Sequence, residues 1–298
     1  MTRPCLPPKT TYQQVNFKIP PGACDSHVHI FGPFADFPLA QDRSYTPQEF
    51  SAHQFIAHLD QLGLSRGVLV TASVCGTNNG SLLRGLETYP DRLRGVVVPD
   101  INVSDKELDR WHDLGVRGAR FNLLRIDGKP MYRNGVGLEV LQKLAPKFAE
   151  RGWHAQIWAH APDLPELASQ LLPLGIPLVI DHMGRMNTSH GLHNPGFQFL
   201  CHLLAEGKAW VKISGADRIG NKDMAYQDVD PFAKALIDAN PEQVVWGTDW
   251  PHINYFDQDL VPNDGDLINL LSRWLGSSNN LEKILVSNSA RLYDFPAS

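Results

Sequence analysis

Two histidines stand one residue apart, His27 and His29, in the stretch CDSHVHIFGP. Side chains alternate across a strand, so both imidazoles share one face, with Asp25 a layer below. Imidazoles so placed either ligate a transition metal or hold and move protons. Comparable groups close other β-like runs. WHAQIWAH (153–160) presents Gln156, Trp158 and His160 on one face, and IPLVIDH (176–182) ends on Asp181 and His182. QVVWGTD (243–249) ends on Asp249, with His252 just beyond; VRGARFNL (116–123) offers Arg120 and Asn122, and RGVLVTAS (66–73) ends on Ser73.

If these ends converge, His27, His29, His160, His182 and Asp249 meet in one small volume. Three imidazoles and a carboxylate make a sound site for one divalent transition metal, and zinc takes three or four such ligands. Zinc-bound water ionises near neutral pH, and a further histidine or the aspartate moves its protons. His53, His58, His112, His190, His193 and His202 read as surface or satisfied core residues. Asp181 reads as an anchor for its neighbours and Trp158 equally as barrel filling or pocket wall. Lys212 reads as a buried ion-pair residue with no assigned role.

A fold must bring those ends together. Eight short β-branched runs alternate with amphipathic stretches: 22–30, 66–73, 93–100, 116–123, 153–160, 176–182, 209–215 and 243–249. Among the helical stretches, TPQEFSAHQFIAHLDQLG is expected to start at a Thr46 cap, and SDKELDRWHDLG at a Ser104 cap. LEKILVSNSARLYDF reads as a closing helix. Eight such units in one chain of 298 residues predict a single-domain, distorted (β/α)8 TIM barrel over 22–298, preceded by an extended, proline-rich arm over 1–21. In such barrels catalytic groups gather at the C-terminal strand ends. An open doubly wound sheet is the competing fold, but no GxGxxG follows the first strand.

A formal net charge of −5 gives no basic footprint for nucleic acid and no polybasic membrane patch. No apolar run is long enough to span a bilayer, and the N-terminus lacks the apolar segment of a secretory signal. Four scattered cysteines without a CxxC pair fit a reduced, cytoplasmic protein. The expected partner is a small carboxylated molecule, not a nucleic acid or a membrane.

DSHVHIFGP, GVRGARFN, VIDHMGR and VVWGTDWPH together resemble the amidohydrolase-related family of the second type, in particular its pyrone-dicarboxylate lactonases. The likeness covers the chain beyond the arm. It implies hydrolysis of small carboxylated lactones in the breakdown of aromatic compounds. It implies Asp249 as the base that activates water, His182 beside that water, and His27 and His29 polarising the carbonyl directly or through a metal. Arg120, Arg185 and Arg218 would hold substrate carboxylates, where paired guanidinium–carboxylate bonds favour arginine. Ser73, Thr77, Asn78, Trp158 and His252 would line the pocket. Zinc-dependent relatives carry a histidine at the position of His160, so the resemblance implies His27, His29, His160 and Asp249 as a full ligand set for one metal, with zinc the expected ion. No strand-four lysine is present to bridge two metals, so one ion at most is expected.

Departures from the lactonase pattern at Cys75, Trp158 and Ile126 (with Arg125 adjacent) count against the pyrone dicarboxylate itself. A mononuclear-metal decarboxylase of a small aromatic or muconate-type acid is the alternative on the same barrel. A non-catalytic binding barrel is the third, and Asp249 with His182 exceeds what binding alone needs.

Overall fold

A computed structural model describes residues 2–126, 128–132, 134–275 and 278–296. Eight parallel strands run in sequential order: β1 (Cys24–Val28), β2 (Arg66–Val70), β3 (Leu93–Val97), β4 (Val116–Asn122), β5 (His154–Trp158), β6 (Leu178–Ile180), β7 (Trp210–Lys212) and β8 (Val244–Val245). The circle closes through main-chain bonds between β1 and the segment following β8. Ser26 N donates to Trp246 O at 2.9 Å, Asp249 N to His27 O at 2.9 Å, and His29 N to Trp250 O at 2.8 Å. The (β/α)8 barrel anticipated from the alternating pattern is therefore the fold, with at least one α-helix after each strand.

The strands are shorter than their β-branched runs suggested. The chain leaves the sheet early at the C-terminal rim, where irregular turns take over; Ser73 opens a 3-10 turn, not a strand end. The first outer helix is Ala52–Leu62, five residues later than the Thr46 cap implied. Ser51 caps it with a capping box to Gln54, whereas Thr46 is spent in a bridge to Pro4. Ser104 caps Asp105–Asp113 as expected, accepting from Glu107 N. Helices pack closely where strands are small: a Cβ on Gly67 of β2 would sit 2.4 Å from the Phe55 ring. Within the N-terminal segment, residues 11–16 run along helix Asp264–Leu275. There Asn263 and Asn269 each accept from one backbone N–H of the segment and donate to one of its carbonyls. Among the described residues no helix is long and apolar enough to cross a membrane.

One buried group sets an acid limit on the fold. His154 on β5 is 2% exposed and neither ring nitrogen has a hydrogen-bond partner. Burial, then the Lys212 charge, lowers its pKa to about 3. An unfolded chain binds this proton near 6.5, the native chain only near 3. Stability is therefore lost as pH falls from 6.5, by roughly 1.4 kcal/mol per pH unit. His154→Leu is expected to weaken that dependence. Urea midpoints at pH 6.5 and 4.5 check it; equal losses in variant and wild type would assign the acid sensitivity elsewhere.

Candidate active site

The rim of β1 carries the first two functional groups. His29 Nδ1 lies 2.6 Å from the Val70 carbonyl at the end of β2 and must donate to it. Its Nε2 then faces Asp249 Oδ1 at 3.4 Å, and His27 Nε2 lies 3.8 Å from the same oxygen. Asp249 reaches this position by leaving β8 in a left-handed turn, with φ 66°. The turn is held from below: Thr248 donates its hydroxyl to Asp25 Oδ2 at 2.5 Å and its N–H to Asp25 Oδ1 at 3.0 Å. Of the nine non-glycine residues with positive φ among the described residues, His182, Met183, Arg185, Asp249, His252 and Asn254 lie in the segments following β6 and β8. Such backbone costs about 1–3 kcal/mol per residue and persists where surrounding contacts enforce it, as at functional sites.

His182 stands against His27, ring centroids 4.5 Å apart, with Nδ1 2.9 Å from Ser214 Oγ. Beneath them lies a buried polar layer built by strand register. Arg120 of β4 pairs with Gln156 of β5 in the sheet, so both side chains reach one acceptor. Asp181 Oδ2 accepts from Gln156 Nε2 at 3.0 Å and from Arg120 Nε at 3.3 Å. Lys212 of β7, fully buried, donates to Ser26 O at 2.9 Å and Gln156 Oε1 at 2.7 Å, and its Nζ lies 3.3 Å from His27 Nδ1. Burial lowers its pKa to about 8, so it remains charged at neutral pH.

The same layer sets the tautomer of His27. Its Nδ1 is 3.3 Å from Lys212 Nζ, a donor, and 3.3 Å from Asp181 Oδ1, an acceptor. Donation from Lys212 leaves the proton on Nε2, which then serves as a hydrogen-bond donor toward the pocket. Donation to Asp181 leaves Nε2 with a free lone pair, which suits a metal. Burial first, then Lys212, lowers the His27 pKa well below its ordinary value, so the ring is neutral in either case.

Burial alone would push the Asp249 carboxyl up. His182, the hydrogen bond with His29, Arg218 and His27 outweigh it and hold the group well below the usual carboxylate range. Arg218 stays charged when the imidazoles are neutral, and its Nη2 sits 3.2 Å from Asp249 Oδ2. The base candidate is thus ionised across the neutral range.

A narrow cavity of about 50 Å³ opens above Asp249, walled by His29, Ser73, Arg120, Trp158, His182, Arg185 and Arg218. Of the residues picked from sequence, these come together. Arg120 serves both readings offered for it, since it binds Asp181 and also faces the cavity. Four further wall residues, Tyr45, Tyr132, Ile253 and Asn254, carried no sequence signal because they sit in irregular loops. Burial raises both tyrosine hydroxyls, which stay protonated.

Other expected site residues stand elsewhere. His252 is fully buried and bonds Asp264 at 2.8 Å, because the left-handed turn points it into the helix layer. Thr77 is exposed, and Asn78 is spent on Gly80 N and Pro38 O. His160 lies past the end of β5, where the chain bends into the 161–163 turn, and it lines a neighbouring cavity instead.

Among the described residues, two groups have donor atoms close enough for a shared ion: His27, His29 and Asp249, and His27, Asp181 and His182. In the second, Asp181 is already bonded to Gln156 and Arg120 and faces Lys212. The first fits better. His27 Nε2 is buried without a hydrogen-bond partner. Zinc bonds of about 2.0–2.1 Å at tetrahedral angles put neighbouring donors roughly 3.4 Å apart, close to the spacings around Asp249. His160 does not complete this set, so three of the four expected ligands are assembled.

The amidohydrolase family model matches residues 24–295. The 4-sulfomuconolactone hydrolase of Rhizobium radiobacter is 37% identical over 292 residues, covering 97% of this chain and 96% of that protein. The 2-pyrone-4,6-dicarboxylate hydrolase of Comamonas testosteroni is 36% identical over 288 residues, covering 93% and 92%. The crystal structure of a candidate 2-pyrone-4,6-dicarboxylic acid hydrolase from Pseudomonas putida superposes with a TM-score of 0.80 at 32% identity, covering 93% of this chain and 99% of that one. A match that takes in every barrel strand, together with the strand-end histidines and aspartate at its rim, places the chain in the amidohydrolase family.

Proposed function

We propose that this chain hydrolyses a small lactone bearing acid groups, with Asp249 as the base that activates water. The observation that carries this reading is an ionised carboxylate 3.4 Å and 3.8 Å from two imidazoles, beneath a pocket edged by three arginines. The relatives named as lactone hydrolases support it. Water held near His182 adds to the ring carbonyl carbon while Asp249 takes its proton. The acyl C–O bond of the ring then breaks, and Asp249 returns the proton to the leaving oxygen. His27, with its proton on Nε2, faces the developing oxyanion, where preorganised donors act most strongly. A divalent ion, Zn2+ in our reading, would be held by His27, His29 and Asp249 and would supply Lewis acidity to the carbonyl.

Arg185 is the substrate clamp in this reading. It has no carboxylate partner among the described residues, and its guanidinium lies 5.9 Å from the Trp158 ring centroid. Arg185→Met is expected to raise KM at least tenfold with little change in kcat, as loss of binding common to ground and transition states does. The function itself is tested by proton release on a panel of carboxylated lactones, before and after chelation and zinc readdition. Ring opening releases a proton and no carbon dioxide. Carbon dioxide evolution from an aromatic or muconate-type acid would favour the decarboxylase instead, and no turnover on any lactone with metal supplied would sink the proposal.

A further inference from the structure

The reaction pocket is narrow, at about 50 Å³. Beside it lies a larger cavity of about 330 Å³, lined by His160, Asn187, His190 and two residues that also wall the reaction pocket, Arg185 and Arg218.

The chemistry of this side cavity is one-sided. Its polar lining consists of two guanidinium groups, two imidazoles and an amide, with no carboxylate. Arg218 is already engaged by Asp249, Asp217 and the Ile253 carbonyl. The rest donate to no oxygen or nitrogen acceptor among the described residues, Arg185 donating only to Met131 Sδ at 3.8 Å. Arg185 makes no ion pair, and the rings of His160 and His190 make no hydrogen bond among the described residues. Asn187 uses its side-chain oxygen on Ser189, leaving its NH2 group free. A neutral imidazole still offers one N–H, so even uncharged histidines contribute donors here. A wall of unused donors flanked by fixed positive charge suits an anionic oxygen group.

We propose that this side cavity is an anion subsite continuous with the reaction pocket, and that it takes the substrate's acid group remote from the attacked carbonyl. His160 and His190 are its distal contacts, and Arg185 stands between the two chambers. The proposal rests on the lactonase reading and adds the requirement of a second, distal carboxylate or sulfonate. It gives His160 a binding role in place of metal ligation.

The test uses the full chain with His160→Leu and His190→Leu combined. Both residues lie at or near the surface, and the thermal midpoint checks that the fold is kept. For a lactone with a distal carboxylate, KM is expected to rise about tenfold with kcat within twofold of wild type. For the same ring without that group, KM stays unchanged. Equal effects on both lactones, or on neither, would overturn the subsite. Calorimetric binding of benzene-1,3-dicarboxylate against benzoate separates this from failure of the lactonase reading. Tighter binding of the diacid by wild type, lost in the double variant, upholds the subsite even if no lactone is opened. A margin kept by the variant, or absent from wild type, overturns it.

Discussion

Asp249→Asn is expected to lower kcat/KM by roughly 10³-fold, the scale set by loss of a positioned general base. Asparagine keeps the shape and can still accept from Arg218, but it cannot take a proton from water. The effect should fall on kcat, because Asp249 lies below the pocket and the arginines that would hold the substrate are untouched. Isophthalate binding should therefore survive. The fold should survive as well: Arg218 keeps the Ile253 carbonyl at 2.8 Å and Asp217 at 3.5 Å. Steady-state kinetics on a turned-over lactone, with the thermal midpoint as control, decide the matter. A variant retaining a tenth or more of wild-type kcat would remove Asp249 from the role of base.

Lys212→Met should have the largest effect on stability, with a catalytic cost beside it. Lys212 and Asp181 are both fully buried, with Nζ 3.8 Å from Oδ1. Removing the cation strands the carboxylate between Gln156, Arg120 and His27. Breaking a buried pair from one side costs about 3–5 kcal/mol. It also removes the donor at His27 Nδ1, so Asp181 alone then sets the tautomer. Urea unfolding should show the loss, and adding Asp181→Asn should recover part of it, as coupled neighbours do in a double-mutant cycle. Nitrogen shifts of the labelled His27 ring report the tautomer directly. In the single variant Nε2 should be unprotonated and zinc affinity should increase. A wild-type urea midpoint with an unchanged His27 spectrum would show that Lys212 only fills space.

The site was partly legible because two simple rules act together. Strand alternation puts His27 and His29 on one face, and the barrel gathers strand ends at one rim. Asp249, His182, Arg120 and Trp158 followed from the same reasoning. The failures share a physical cause. Past the last sheet hydrogen bond, alternation stops governing direction. His160 sits two residues beyond β5 and turns aside; His252 follows a left-handed Asp249 and turns inward to Asp264. Tyr45 and Tyr132 come from loops, where no period exists to read. Thr46, a sound cap by type and spacing, lost its helix to Ser51 because a tertiary bridge to Pro4 claimed it first.

The amino-acid sequence alone determined the barrel and the kind of chemistry at its rim. Apolar periodicity is a local property, and eight strand–helix alternations leave few ways to bury it. Tertiary structure alone decided which polar groups meet. Lys212, Asp181 and His27 lie on different strands, and only sheet register sets the few tenths of an ångström that decide where the His27 proton sits.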